Sequence, residues 1–471
     1  MGVNKLDTYV LSIIVILAAF SLLHAQEMKT GSLVGSASAQ NNSEGTELTI
    51  YSQDIALVRE TREFGFQEGI NIVNITDIAS GIDPSSVIFE DTESPGTYII
   101  EQQFSSDNAS TSRLLENHLG KEITVTDEAG NSYTGILLGH ENDKVILNTS
   151  GNIITLMSVS KIDFQDTEDV LIGPALTWQI YSPEAGTRTI LTSYLTEGIN
   201  WKANYIVKLA DNETQASIDG WATIDNRAGT SFTDARVKLV AGDVRRVSGQ
   251  AYPEYATDEA AIDQAPGQFG QGSLFEYHTY TLNRTTTLRN GETKQISLLS
   301  EGSIPVEKEY IFDSNTGERI KVVMSTENTE SSGLGMPLPA GIVSAYAEDS
   351  EGVLQFVGED EIDHTPRGEE MRIFVGYAFD ITGEKTQTDY QSLGESAERR
   401  SYSIDLTNQK AEDVNVTVTE SIYGDWEITN SSQNYTKVDA FTAEFDVRVP
   451  ANGEESVTYT VEVRYPRAIP Y

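Results

Sequence analysis

The sequence predicts an all-β protein, a chain of β-sandwich domains with a small inserted SH3-like or Sm-like barrel and a C-terminal immunoglobulin-like sandwich. Three observations carry this. Apolar residues recur with a period of two over most of the chain, turn signals separate the short runs, and no stretch after the N-terminus keeps a long helical period. The chain has 471 residues, enough for about three domains.

Residues 1–25 read as a signal peptide. Lys5 precedes an apolar run of 14 residues, Val10 to Leu23, and Ala25 offers a small residue for cleavage. A membrane span needs about 20 apolar residues, so the run is short for an anchor. Residues 26–46 are rich in Gly, Ser, Ala and Asn and read as a flexible linker.

Residues 47–110 form an N-terminal strand-rich region, opened by Leu48, Ile50, Ile55 and Leu57 in alternation. Residues 111–166 read as the small barrel. Five short strand candidates are separated by turns at Asp127–Gly130, His140–Asp143 and Ser150–Asn152. Residues 167–399 form the central sandwich region. Trp201, Tyr205 and Val207 share one parity, and so does Ile218, with Trp221 and Ile224 joining it after a shift. The tryptophans Trp178, Trp201 and Trp221 read as packing residues. A surface loop rich in Gly, Gln and Pro is expected over 249–272. Residues 400–471 form the immunoglobulin-like sandwich. Its last two strands alternate through Ala443, Phe445, Val447 and then Val457, Tyr459, Val461.

Charge narrows the function. There are 72 acidic against 32 basic residues, a net charge of −40. Such a field repels nucleic acid, so no nucleic-acid partner is expected. It attracts cations or a basic partner. Absence of cysteine removes disulfides, thiolate metal sites and lipid-modified cysteine anchors. Envelope or surface-layer components, self-association and glycans are the partners such a chain suggests.

Nine N-x-[ST] sequons follow the export segment. Asn41, Asn108, Asn148, Asn212, Asn283, Asn415, Asn430 and Asn434 are the glycosylation candidates. The ninth, Asn74, sits in an apolar stretch and is set aside. In GEDEIDHTPRGEE, the residues Asp360, Asp363, His364 and Glu369 are a candidate cluster for a divalent cation such as calcium. A polar turn before a strand is the competing reading of the same residues. No serine-hydrolase elbow, phosphate loop, zinc pair or complete EF loop occurs, so no catalytic residue and no other cofactor is assigned. We expect an exported, glycosylated, acidic protein of the envelope or extracellular space, structural or binding in type and not an enzyme. The alternatives are a secreted polysaccharide- or cell-wall-active enzyme and a cation-dependent surface assembly protein.

Several segments together resemble an uncharacterised family, the domain of unknown function forty-one thirty-nine. They are YSQDIALVRETREF, SYLTEGINWKANYIVKL, GWATIDNRAGTSFTDARVKLVAGDVRR, FEYHTYTLNRTTTLRNGETKQISLL and the run from GMPLPAGIVSAYAED to FVGYAFDI. The resemblance spans most of the chain from Leu48 to Tyr465. Relatives labelled mucoidy-inhibitor-like carry a long helical segment in the N-terminal half, where this chain has the barrel region. The resemblance implies export and β architecture. It implies no reaction and transfers no site residue.

Overall fold

A computed structural model describes residues 35–36, 39–105, 111–141, 144–165, 173–242, 244–245, 269–274, 277–315 and 317–465. The expected signal peptide and Asn108 lie outside them. Strands dominate, as the two-residue period requires. Among the described residues Thr111–Asn117 is the one α-helix, and no helix is long and apolar enough to cross a membrane. The chain divides into two compact units, 1–46 with 59–195 and 47–58 with 196–471.

In the first unit one sheet runs Gly35–Ser36, Gly69–Ile75, Ala175–Ser182, Tyr98–Ser105. Alternation aims Val73, Ile75, Leu176, Trp178 and Ile180 inward, and all are buried. Trp178 packs edge-on against Phe64 and Phe89, with ring centroids at 6.5 and 5.6 Å. Its indole N–H donates to Gln102 Oε1 at 2.9 Å, so its one polar atom is satisfied.

Within this unit the segment 111–164 forms its own small sheet. Its five strands are Glu122–Asp127, Ser132–Glu141, Lys144–Thr149, Asn152–Leu156 and Val159–Phe164. The first four form a meander, and the fifth returns beside the first. Leu115 from the helix joins Ile123, Val125, Leu137, Val145 and Leu147 in one core. The expected barrel is corrected in one respect. No strand pairing links Asn152–Leu156 to Val159–Phe164, so the sheet stays open. A bulge in Val159–Phe164 contributes. It turns Ser160 Oγ onto the carbonyls of Thr126 and Asp127, tying that strand to its other neighbour.

In the second unit a sheet runs Glu292–Pro305, Gln215–Asn226, Ile199–Leu209, Gly341–Glu348, Leu354–Ile362. Ile199–Leu209 and Gly341–Glu348 are parallel neighbours, and the others are antiparallel. A second layer holds Phe269–Leu274, Tyr277–Leu282, Phe232–Ala241 and residues 47–51. Trp201 joins the layers. It is buried, donates to Val240 O at 3.0 Å and meets the Tyr280 ring at 6.1 Å.

Three expectations change here. Trp221 does not join the buried row. Ala216, Ile218, Gly220, Ala222 and Ile224 keep one parity throughout, and Trp221 stands half-buried on the other face. The bulge that would have shifted the parity lies in the partner strand's register between Gly220 and Trp221. Gly220 itself has a steric cause, since a Cβ there would lie 2.9 Å from Leu299 Cγ. The linker does not reach residue 46, because Ala39–Tyr51 is a strand. Ser and Asn side chains do not prevent backbone pairing, so composition misplaced that boundary. The loop ends before residue 269, where Phe269–Leu274 pairs with Tyr277–Leu282, and residues 249–268 lie outside the described residues.

The C-terminal sandwich begins near residue 307 rather than 400. Glu307–Asp313, Arg319–Glu327 and Glu370–Gly394 share its nine-stranded sheet with Ala397–Asn408, Val414–Ser421, Asp425–Ser431, Thr436–Lys437, Thr442–Val449 and Gly453–Arg464. Glu370–Gly394 pairs first with Arg319–Glu327 and then with Ala397–Asn408, so a cut at 399 would split a hairpin. Tyr310, Phe312, Ile320 and Ile381 pack in the same core as Phe445, Val457 and Tyr459.

Candidate functional site

The expected cation cluster does not assemble. Asp360 lies on Leu354–Ile362, and its carboxylate accepts from the backbone N–H of Phe374 at 2.7 Å and of Glu361 at 3.0 Å. His364 Nδ1 accepts from the N–H of Ala340 at 3.0 Å, which turns the imidazole toward backbone. Asp363 and Glu369 enter the local network through their main-chain carbonyls, which accept from Thr365 Oγ1 and the Asn328 N–H. Among the described residues no three His, Asp or Glu side chains are arranged to hold a metal ion. The physical reason is local. Residues three apart on an extended chain point to opposite faces, and the following turn wraps a different residue.

That residue is Asn328, which is fully buried. Its Nδ2 donates to the carbonyls of Met336, Thr365 and Pro366 at 2.7, 3.1 and 3.0 Å. Its Oδ1 accepts from the Gly335 N–H at 3.0 Å. Two irregular segments, 329–340 and 363–369, are thereby fastened to one side chain. Gly335 has φ +81°, and a Cβ there would meet the Glu330 backbone at 2.7 Å. Sequence reasoning missed Asn328. The available signal was a lone Asn between an apolar strand and a Gly/Pro-rich turn.

A shallow cavity of about 220 Å³ opens beside the same turn, lined by Gln271, Gly272, His278, Thr279, Tyr280 and Pro337. Ligand pockets span roughly 300–1,000 Å³, so this one is small. Tyr280 donates to Pro337 O and Tyr205 to Pro339 O, each at 2.8 Å. Burial pushes both phenols above their ordinary value, which keeps them neutral donors. His278 stands exposed at the rim.

The most strongly buried charges are already committed. Arg62 binds Glu60 and Asp77 at 2.5 and 2.6 Å. Burial raises the Glu60 carboxyl above its ordinary value, and the Arg62 charge opposes this without cancelling it. Burial, then Glu60, raise the nearby Tyr194 phenol. Arg188 binds Asp91 at 3.2 Å and Thr97 Oγ1 at 2.7 Å. In the C-terminal sandwich Lys385 Nζ reaches Glu420 at 2.5 Å and Ser314 Oγ at 3.0 Å, over the Tyr402 ring at 4.5 Å. Burial and the Glu420 carboxylate push the Tyr459 hydroxyl well above its usual range. Glu60 lies on the same strand as Arg62, and Asp91 on the strand paired with that of Arg188. Lys385 and Glu420 instead come from strands separated by two others in the sheet order, so this pair joins distant strands of the sandwich.

Sequon asparagines fall into three groups. Asn212, Asn283, Asn415, Asn430 and Asn434 are exposed. Asn148 is half-buried in a hairpin, and its Oδ1 accepts from the Gly151 N–H at 3.2 Å. Asn41 lies on the Ala39–Tyr51 strand. Asn74, set aside for its apolar neighbours, proves exposed, because Val73 and Ile75 take the inward positions.

No curated protein matches the chain. Residues 190–467 match the family described as Domain of unknown function (DUF4139). That match covers more than half of the sequence and all of the C-terminal sandwich, and the chain belongs to this family.

Proposed function

We propose that this chain works outside the cytoplasm as a glycosylated, acidic, non-enzymatic protein of the envelope or extracellular space, structural or binding in type. The distribution of its charge carries the reading. In Gly453–Arg464 the inward positions are Val457, Tyr459, Val461 and Val463, while Glu454 and Glu462 face outward or half outward. The same division recurs in Thr442–Val449, where Ala443, Phe445, Val447 and Val449 are buried and Glu444 and Asp446 lie on the other face. Apolar sandwiches with acidic outer faces stay hydrated and resist collapse onto one another. The buried Arg62, Arg188 and Lys385 pairs favour a load-keeping framework over a reaction centre.

Cell fractionation with N-terminal sequencing tests the proposal. Recovery outside the cytoplasmic membrane, starting after Ala25, is the expected result. Recovery in the cytosol with Met1 retained would refute it.

A further inference from the structure

Within the small sheet, three strands carry an apolar row on the outer face. Ile136 pairs with Asn148, and Asn148 pairs with Ile153, so the three side chains share one face in one line. The inner row is Leu137, Leu147 and Ile154, which fill the core. On the outer row Ile153 is 70% exposed and Ile136 43%, and Leu138 nearby is 47% exposed. Ile146 flanks them, paired with Gly139 and Thr155. A sheet of five short strands gains nothing from showing this surface to water. The acid-rich outer faces of the C-terminal sandwich are built differently.

The residue at the centre of the row is the sequon asparagine of Asn148-Thr149-Ser150. We propose that Asn148 carries an N-linked glycan whose first sugars lie over Ile136 and Ile153. This rests on the export and glycosylation put forward above and adds the site and what it covers. Sugars suit the surface, since their C–H faces pack on aliphatic side chains while their hydroxyls meet water. The bond forms between Asn148 Nδ2 and C1 of an oligosaccharide on a lipid-linked phosphate donor. The C1–O bond breaks, the phosphate leaves with its electron pair, and the amide proton is released. The hydrogen bond at Gly151 uses Oδ1, so the modification leaves it in place. Asn148 also sits next to the hairpin turn, where Ser150 and Gly151 have φ +50° and +94°. A strand end beside a tight turn frays more readily than a strand centre, which gives a transferase access.

The test uses the full protein purified from the cells that make it, digested and read by mass spectrometry. The Asn148 peptide is expected to shift by an oligosaccharide mass, with loss of its unmodified form. An unmodified Asn148 peptide beside glycosylated Asn212 or Asn283 would overturn this site and leave the wider reading standing. Unmodified peptides at every sequon would overturn both. A Ser150→Gly variant removes the sequon hydroxyl and suits the left-handed turn. It is expected to lose sugar at Asn148 alone and to bind more of an apolar fluorescent dye. Unchanged dye binding after loss of that sugar would overturn the covering role.

Discussion

Removing one partner of the Lys385–Glu420 pair separates a structural ion pair from a surface one. The side chains are 18% and 1% exposed, so the carboxylate is fully inside the sandwich and the ammonium mostly so. Lys385→Met would leave Glu420 with no cation and Ser314 without its donor. Breaking a buried pair costs about 3–5 kcal/mol. The partial exposure of Lys385 places this case at the lower end, about 3 kcal/mol. In a unit of this size that lowers the melting temperature by roughly 6–10 °C. The double variant Lys385→Met, Glu420→Leu strands no charge and should lose only about 1 kcal/mol, mainly through Tyr459 losing its neighbour. Thermal and urea unfolding of the full chain, followed by tryptophan fluorescence, reads both, since Trp426 lies in this core. The double variant is then expected to be about 2 kcal/mol more stable than Lys385→Met alone. If Lys385→Met costs less than about 1 kcal/mol, or the double variant is no better than the single, the pair does not hold the sandwich together.

Further outcomes follow from other residues. Asn328→Ala strands several buried carbonyls and the Gly335 N–H, and should cost about 2–4 kcal/mol by urea unfolding, while an exposed control, Asn434→Ala, should cost almost nothing. For Glu60 the folded carboxyl lies above its unfolded value of 4.5, because burial dominates. Its contribution is therefore most favourable below pH 4.5 and is lost as pH rises through the folded value. Glu60→Gln should gain stability relative to the unmodified protein over that rise, and a flat difference across pH would contradict the sign. Residues 190–467 expressed alone would lack residues 47–51, which pair in parallel with Phe232–Ala241 and bury Leu48 and Ile50. That fragment should aggregate or melt below the full chain, and equal melting temperatures would show the strand to be dispensable.

The β class was legible because the two-residue period is a property of each strand alone. Val457 through Val463 announce an inward face whatever strand lies beside them, and the structure buries all four alternating positions. Sheet membership was not legible in the same way. Glu370–Gly394 changes partners midway, from Arg319–Glu327 to Ala397–Asn408, and pairing of that kind leaves no mark in a single strand's period. Met371, Ile373, Tyr377, Phe379 and Ile381 keep one parity, yet Tyr377 and Phe379 are exposed where the other three are buried, so the alternation does not show where the core is. The domain boundary near 400 was therefore placed inside a hairpin, where alternation resumed rather than where the core began.

The candidate site failed for a related reason. Sequence proximity gathered Asp360, Asp363, His364 and Glu369, but proximity on an extended chain scatters side chains to both faces. The turn that follows is organised by Asn328, 32 residues before Asp360 in the chain, and its lone-Asn signal says nothing of which distant segment it fastens. The Asn148 row shows the opposite case. Its sequon is visible in the sequence, yet its apolar setting comes from pairing Ser132–Glu141, Lys144–Thr149 and Asn152–Leu156 in one register. A shift by one residue would turn Ile136 and Ile153 into the core and Leu137 and Ile154 out of it. The outer row thus depends on the inner one being filled, and the core formed by Leu137, Leu147 and Ile123 fixes which asparagine stands among isoleucines.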